Sequence, residues 1–249
     1  MKARKRFGQH FLHDPGILRR IVESIAPAPG DRVVEIGPGE GALTRLLLQR
    51  VASLTAIEID RDLATRLEKE FSGGRLKLVR ADALEFDFSS LPQDIRLVGN
   101  LPYNISTALL FHLARHAGRV RDMHFMLQRE VVDRMVAKPS TPEYGRLSVM
   151  LQARFSMKKL FGVAPGAFRP PPKVDSAVVR LTPLERIPGI DEARFEDLVR
   201  RAFSARRKTL RNALALAPED YARLGIDPGL RPENLSPADY LRIARRVAG

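Results

Sequence analysis

The sequence predicts an α/β fold: a Rossmann-like sheet domain followed by a small all-helical C-terminal domain. Three observations carry this expectation. Apolar, β-branched runs alternate with helical patterns over the first two-thirds of the chain, as βαβ units and a mostly parallel sheet require. A glycine-rich turn, EIGPGEG, joins the first of these runs to the helix after it. Beyond a Pro/Gly break at 187–190 only helical patterns remain. A chain of 249 residues suits one large domain with a small appendage. The expected division is 1–184 and 185–249.

In chain order, Asp14 is placed as N-cap and Pro15 as first helical residue of a helix over 15–26. Strands are expected at 32–36, 54–59, 76–79, 95–98 and 123–127, with helices at 41–50, 61–71, 107–116 and 130–137 between and after them. Segments 146–155 and 177–181 read as further strands of the same sheet. After the break, helices are expected over 192–204, 207–216, 219–223 and 237–247. Ser236-Pro237 with Asp239 in the first turn starts the last of these.

Composition removes several function classes. Cysteine is absent, so disulfide scaffolds, thiolate catalysis and cysteine-ligated metals are excluded. His112 and His116 form an i,i+4 pair, but no glutamate follows the first as a zinc protease needs, so no metal is expected. No apolar run approaches membrane-spanning length, and the first sixteen residues lack a signal peptide's apolar stretch. A cytoplasmic protein with no membrane role is expected. Basic residues outnumber acidic ones by 42 to 29, a formal charge of +13. Such an excess favours polyanionic partners through counterion release. A count of 33 Arg against 9 Lys also fits a compositional bias.

The glycine turn narrows the cofactor. Glu35-Ile36-Gly37-Pro38-Gly39-Glu40-Gly41 has GxGxG spacing, not the GxGxxG of dinucleotide loops. Two carboxylates, Glu35 and Glu40, would repel a pyrophosphate held at the helix N-terminus. S-adenosylmethionine (SAM), with a sulfonium and an ammonium, suits them better. Glu58 ends the second strand 21 residues beyond Gly37, where an acid can take both ribose hydroxyls. Asp82, followed by Ala83 after the third strand, could accept from an adenine amino group. The bland alternatives are a common glycine turn, a solvated strand-end carboxylate and an aspartate that caps its own turn.

After the fourth strand comes Gly99-Asn100-Leu101-Pro102-Tyr103-Asn104-Ile105-Ser106. An exocyclic base amine is a poor nucleophile because its lone pair is delocalised into the ring. Two acceptors holding both N–H groups shift it towards tetrahedral geometry. The Asn100 side-chain oxygen can be one. The Leu101 carbonyl can be the other, since Pro102 restricts Leu101 to an extended conformation. Tyr103 offers a ring face for a flipped base. The same four residues also make an ordinary turn with a packed tyrosine.

Further stretches make the family legible: RFGQHFL at 6–12, AIEID, GNLPYNIST, FRPPPKVDSAV and FSARRKTLRNAL, beside the glycine loop and the Asp82 turn. Over nearly its whole length the chain resembles the KsgA/RsmA-type small-subunit rRNA adenine N6,N6-dimethyltransferases. The resemblance implies transfer of four methyl groups from SAM to N6 of two adjacent adenosines near the 3′ end of 16S rRNA. It implies a small ribosomal subunit precursor as partner, a role in ribosome biogenesis and a monomeric enzyme. By that match Gln9, His10, Leu12, Glu35, Gly37, Gly39, Glu58, Asp82, Ala83 and Asn100 are candidate cofactor contacts. His10 departs from the family's Gln-Asn-Phe-Leu pattern. Phe168 resembles the aromatic that faces the target base opposite Tyr103; a buried core phenylalanine is the competing reading.

Two basic runs are candidate RNA contacts: Lys2, Arg4, Lys5 and Arg6, and Arg200, Arg201, Arg206, Arg207, Lys208 and Arg211. The second holds no acid within its span and is expected to lack i,i+4 relief. Arg146 and Lys173 are added. Three rival functions stay open at this point: a macrolide-resistance 23S rRNA adenine methyltransferase, a DNA adenine methyltransferase, and a noncatalytic assembly factor.

Overall fold

The computed structural model describes residues 9–185, 191–214 and 216–247. They form two compact units. One holds the residues up to Val132 together with Met157–Pro183; the other holds Asp133–Ser156 and the residues from Leu184 onward.

The first unit opens with a two-residue strand, β1 (Phe11–Leu12), and helix α1 (Pro15–Ile25). The Asp14 carboxylate accepts from the Gly16 and Ile17 amides at 2.8 and 2.9 Å, so the orphan donors of α1 are satisfied at its start. Leu18, Ile21, Val22 and Ile25 recur at helical spacing and are buried. There follow β2 (Arg32–Ile36), α2 (Ala42–Leu47), β3 (Leu54–Glu58), α3 (Arg61–Glu70), β4 (Leu76–Arg80), β5 (Ile95–Asn100), α4 (Ser106–Ala114) and β6 (Val120–Gln128). Helices α5 (Arg129–Val136) and α6 (Arg146–Gln152) precede β7 (Phe155–Val163), the short β8 (Phe168–Arg169) and β9 (Ser176–Pro183).

The sheet order is β4-β3-β2-β5-β6-β9-β7. Pairs β4–β3, β3–β2, β2–β5 and β5–β6 are parallel, and β9 runs antiparallel to β6. The chain winds outward in both directions from β2 and β5. That switch point leaves a crevice at the carboxyl ends of these two strands, where open α/β sheets bind ligands. β1 pairs with β8 outside this sheet and places Phe11 and Leu12 beside Arg169 and Phe168.

Inside the second unit, α7 (Glu192–Ser204) and α10 (Pro237–Val247) pack with α6 and with each other, while α8 (Leu210–Leu214) packs with α7 and α9 (Pro218–Leu224) with α10. Phe195, Leu198, Val199 and Ala202 form the buried stripe of α7. Three buried tyrosines satisfy their hydroxyls on backbone carbonyls: Tyr144 on Leu235, Tyr221 on Leu210 and Tyr240 on Pro232, each at 2.8 Å.

Four expectations need correction. Segment 146–155 is not a strand; it contains α6 and only the first residue of β7. Five consecutive residues, Leu147–Leu151, are buried, so neither a helical nor a strand period shows in the sequence. β7 is absent from the expected strands; Lys158 and Lys159 interrupt its apolar pattern, as they can on a sheet edge. The expected helix over 207–216 is confined, among the described residues, to Leu210–Leu214. The division at 184 differs from the observed units because 133–156 joins the helical one. There the Tyr144 ring meets Phe203, which in turn meets Tyr240.

Candidate active site

The glycine turn leaves β2 with Gly37 and Gly39 in the left-handed region, at φ 68° and 58°. A side chain at Gly39 would also sit 3.1 Å from the Phe11 ring, so β1 can lie over the loop only because Gly39 has none. The Gly37 amide donates to the Ile57 carbonyl at 2.9 Å, tying the turn to β3. Buried Glu58 at the end of β3 accepts from the Gly39 amide at 3.1 Å and the Asp60 amide at 2.9 Å. Burial pushes the Glu58 carboxyl above its ordinary pKa, and these two amides pull it back. Each carboxylate oxygen retains a lone pair for a further donor.

A cleft of about 270 Å³ opens at this edge. It is lined by Gln9, His10 and Phe11, by Gly37 and Gly39, by Glu58 and Ile59, by Asp82 and Ala83, and by the run Asn100–Ile105. Among the described residues two carboxylates and no Lys or Arg line it, in a chain of net charge +13. That charge balance disfavours phosphate and suits a cationic ligand. The Asp82 side chain accepts from the Leu84 amide at 2.9 Å through one oxygen. It therefore caps its own turn and still offers the second oxygen to the cleft.

The Asn100 amide nitrogen donates to the His10 carbonyl at 2.8 Å. A carbonyl only accepts, so the amide cannot flip, and the Asn100 side-chain oxygen is turned away from this partner. The Leu101 amide donates to Met126 at 3.1 Å, which anchors the turn to β6. Among the described residues, the Leu101 carbonyl accepts no hydrogen bond. The Tyr103 hydroxyl and Ser176 Oγ lie 2.6 Å apart, and burial pushes the phenol above its ordinary pKa. Its ring faces the His10 imidazole, with centroids 5.5 Å apart and planes 27° from parallel. His10 Nδ1 lies 2.7 Å from the Pro170 carbonyl, so that nitrogen carries the proton.

The cleft thus gathers Gln9, His10, Gly37, Gly39, Glu58, Asp82, Ala83, Asn100, Leu101, Pro102 and Tyr103. It does not gather three expected residues. Leu12 and Glu35 line an adjoining cavity of about 50 Å³ against α1. Glu35 is buried and accepts from the Thr44 hydroxyl at 2.7 Å; burial pushes its pKa up to about 7. It is therefore a poor source of the negative charge assigned to it from sequence. Glu40 lies 4.0 Å from Arg66 and also lines the smaller cavity. Phe168 is 1% exposed and packs in the core with Leu18, Leu43 and Val178, as the competing reading of its sequence has it. Its β8 register against Leu12 directs it inward.

Phe11, Ile59 and Ile105 were missed as cleft residues. Ile59 is 45% exposed directly after the strand-end acid, and an apolar residue in that turn was the available signal.

Among the basic candidates, Arg200 and Arg201 both pair with Asp197, at 2.5 and 2.8 Å. Relief one turn upstream, outside the run itself, corrects the expectation that none exists. Arg206 pairs with Glu233 at 2.5 Å and Arg146 with Glu196 at 3.2 Å. Lys173 is exposed, as are Arg207, Lys208 and Arg211, and the last three have no ion pair among the described residues. Lys2, Arg4, Lys5 and Arg6 lie outside the described residues. No described helix is long and apolar enough to cross a membrane.

Comparisons with known proteins agree with this geometry. The family model for ribosomal RNA adenine dimethylase matches residues 1–248. Ribosomal RNA small subunit methyltransferase A of Thiobacillus denitrificans is 59% identical, over 98% of both chains. The protein of that name from Bordetella pertussis is 58% identical, over 98% of this chain and 93% of its own. A dimethyladenosine transferase structure from Plasmodium falciparum superposes with TM-score 0.84 at 28% identity, covering 94% of this chain and 96% of that one. The 23S rRNA methyltransferase ErmE gives TM-score 0.73 at 29% identity, covering 96% and 100%. The match spans the chain and the cleft suits a sulfonium donor: the protein belongs to the ribosomal RNA adenine dimethylase family and is a SAM-dependent rRNA adenine methyltransferase.

Proposed function

We propose that this enzyme dimethylates N6 of two adjacent adenosines near the 3′ end of 16S rRNA, on a small ribosomal subunit precursor, as a cytoplasmic monomer. The observation that carries the chemistry is the locked Asn100 amide, whose oxygen is turned away from the His10 carbonyl, followed in sequence by a Leu101 carbonyl that accepts no hydrogen bond among the described residues. When bound, SAM supplies an electrophilic methyl group. Asn100 and Leu101 accept the two N–H bonds of the amine and hold its lone pair towards the donor. Alignment of this kind supplies about 7–11 kcal/mol of a barrier. The proton lost on methylation needs no strong base, because the alkylated nitrogen is acidic. Tyr103, held at its hydroxyl by Ser176, stacks on the extruded base.

The choice of small-subunit RNA rests on the relatives that share more than half of this sequence. The 23S enzyme is the more distant likeness. Purified enzyme incubated with undermethylated small subunits is expected to leave two adjacent N6,N6-dimethyladenosines, read by mapping the modified positions. Modification of large-subunit RNA alone would overturn the assignment.

Glu58 is proposed to hold the ribose hydroxyls. Glu58→Ala removes a charged acceptor and leaves the Gly39 and Asp60 amides without theirs. A charge-assisted hydrogen bond contributes about 1.5–3 kcal/mol, so SAM affinity is expected to fall roughly 10- to 150-fold by calorimetry. Unchanged affinity would remove Glu58 from the ribose.

The RNA surface is proposed to centre on Arg207, Lys208 and Arg211, the exposed cations of the run that lack an acid partner. Substituting all three by alanine is expected to lower the salt slope of rRNA affinity by about 2–3, at about 0.7–0.9 per phosphate contact. SAM affinity is expected to stay unchanged. Arg200 and Arg201, which share the single charge of Asp197, are expected to contribute less. An unaltered slope in the triple variant would count against this surface.

A further inference from the structure

We infer that His124 is a positioning residue of the cofactor site, holding the Glu35 carboxyl, and with it the start of the glycine turn, through water in the small cavity beneath that turn. This rests on the SAM-dependent activity and not on which rRNA accepts the methyl groups. Sheet register brings the two side chains together. Glu35 on β2 pairs with Val98 on β5, and Val98 pairs with His124 on β6. Residues paired in this way project from the same face of a sheet, so Glu35 and His124 flank Val98 on one side of it. Strands lie about 4.8 Å apart, which sets the two backbones about 10 Å from each other. Both side chains line the cavity of about 50 Å³, as do Leu18 of α1 and Leu43 of α2. Gly37, Gly39 and Asn100 line this cavity and the cofactor cleft alike.

His124 is 1% exposed, and neither of its ring nitrogens makes a hydrogen bond. Burial holds the imidazole below its ordinary pKa; Asp122 and the Ser24 backbone pull it up, while Arg96 and Arg180 push it down. The ring is therefore neutral, with one donor and one acceptor nitrogen. Its charged neighbour Asp122 lies 3.7 Å from Nδ1 and is already bound through both oxygens by Arg96, at 2.9 and 2.8 Å. Buried polar atoms left over in this way take ordered water as their partner. One water needs about 10–15 Å³ of such space, so the cavity takes about three. Two waters joined by three hydrogen bonds of about 2.8 Å cover the span between the two side chains. At the far end, one Glu35 oxygen takes the Thr44 hydroxyl at 2.7 Å, and the other is left to end the chain. Glu35 stands two residues before Gly37, so a carboxyl fixed from below fixes where β2 stops and the turn begins.

The experiment measures SAM affinity by calorimetry across a double-mutant cycle of Glu35→Met and His124→Leu, with His124→Gln as the conservative variant. Side chains this far apart with no shared partner act additively, whereas a shared water chain couples them. His124→Leu is expected to lower SAM affinity about 5- to 20-fold, because the water chain and the Glu35 oxygen lose their partner. The double variant is expected to bind SAM within about twofold of the weaker single variant. His124→Gln keeps a donor and an acceptor and is expected to stay within about threefold of wild type. In the wild type, the His124 ring N–H is expected to give a nuclear Overhauser cross-peak to a long-lived water, a reading that needs no variant to fold. His124→Leu with wild-type SAM affinity would overturn the inference, since the imidazole would then only fill space. So would additive losses in the double variant, a glutamine variant as weak as the leucine one, or a ring N–H with no cross-peak to water.

Discussion

Asn100→Ala is expected to lower kcat for methyl transfer by at least about 100-fold while SAM affinity falls less than about tenfold. The side-chain oxygen of Asn100 is one of the two acceptors proposed for the target amine, and removing one preorganised polar group from such a site costs about 10²–10³ in rate. The loss should fall on kcat, because the interaction strengthens as the nitrogen pyramidalises and is weak in the ground state. Asn100→Asp provides a sharper comparison. It keeps an acceptor but has no donor for the His10 carbonyl 2.8 Å away, so it would set two oxygens against each other. It is therefore expected to be nearly as inactive as the alanine variant. Methylation by Asn100→Ala at the wild-type rate, measured with labelled SAM, would sink the assigned chemistry.

Gly99→Ala is expected to give the largest loss of structure from a single methyl group. Gly99 lies on β5 with an ordinary backbone, so conformational freedom is not at issue. A Cβ placed there would stand 2.4 Å from the Ile36 carbonyl oxygen on neighbouring β2, about 0.9 Å inside the closest usual C···O approach of about 3.3 Å. The obstacle is backbone on backbone, and no side chain can swing aside. The carboxyl ends of β2 and β5 must separate at the point where Gly37 and Asn100 form the site. Overpacking of this kind costs about 1–3 kcal/mol or more. At roughly 2–4 °C per kcal/mol for a chain of this size, Tm is expected to fall by several degrees. SAM binding is expected to fall with it. A variant with wild-type Tm and full SAM affinity would show that the two strands can part freely here.

The residues most legible in the sequence are those whose role is set by local backbone chemistry at a strand end. Gly37, Gly39, Glu58, Asp82 and Asn100 each follow a recognisable strand at a spacing that the parallel fold makes meaningful, and all five line one cleft. Glu35 belongs to the same motif yet lies beneath the loop with Thr44. One position along a strand reverses the face a side chain takes, and the motif does not say which face is open. Arg96 is a similar case. It sits within a run read simply as strand, but its guanidinium is buried and bound by Asp122 and Asp31, both at 2.8 Å. Nothing local in the sequence marks that pairing.

The order of elements from α1 to α5, the cofactor chemistry and the turn proposed to bind the amine are legible in the chain's own pattern, because strand alternation, glycine turns and the Asn-Leu-Pro-Tyr segment are short-range features. The burial of Phe168 is not. The resemblance sets it opposite Tyr103, and only the pairing of β1 with β8 seats it in the core. The same holds for Arg206, which Glu233 claims across 27 positions, whereas the hold of Asp197 on Arg200 and Arg201 lies within α7 and is local. Contacts between residues 27 to 160 positions apart depend on where the whole sheet and bundle carry them, and a linear pattern holds no record of that distance.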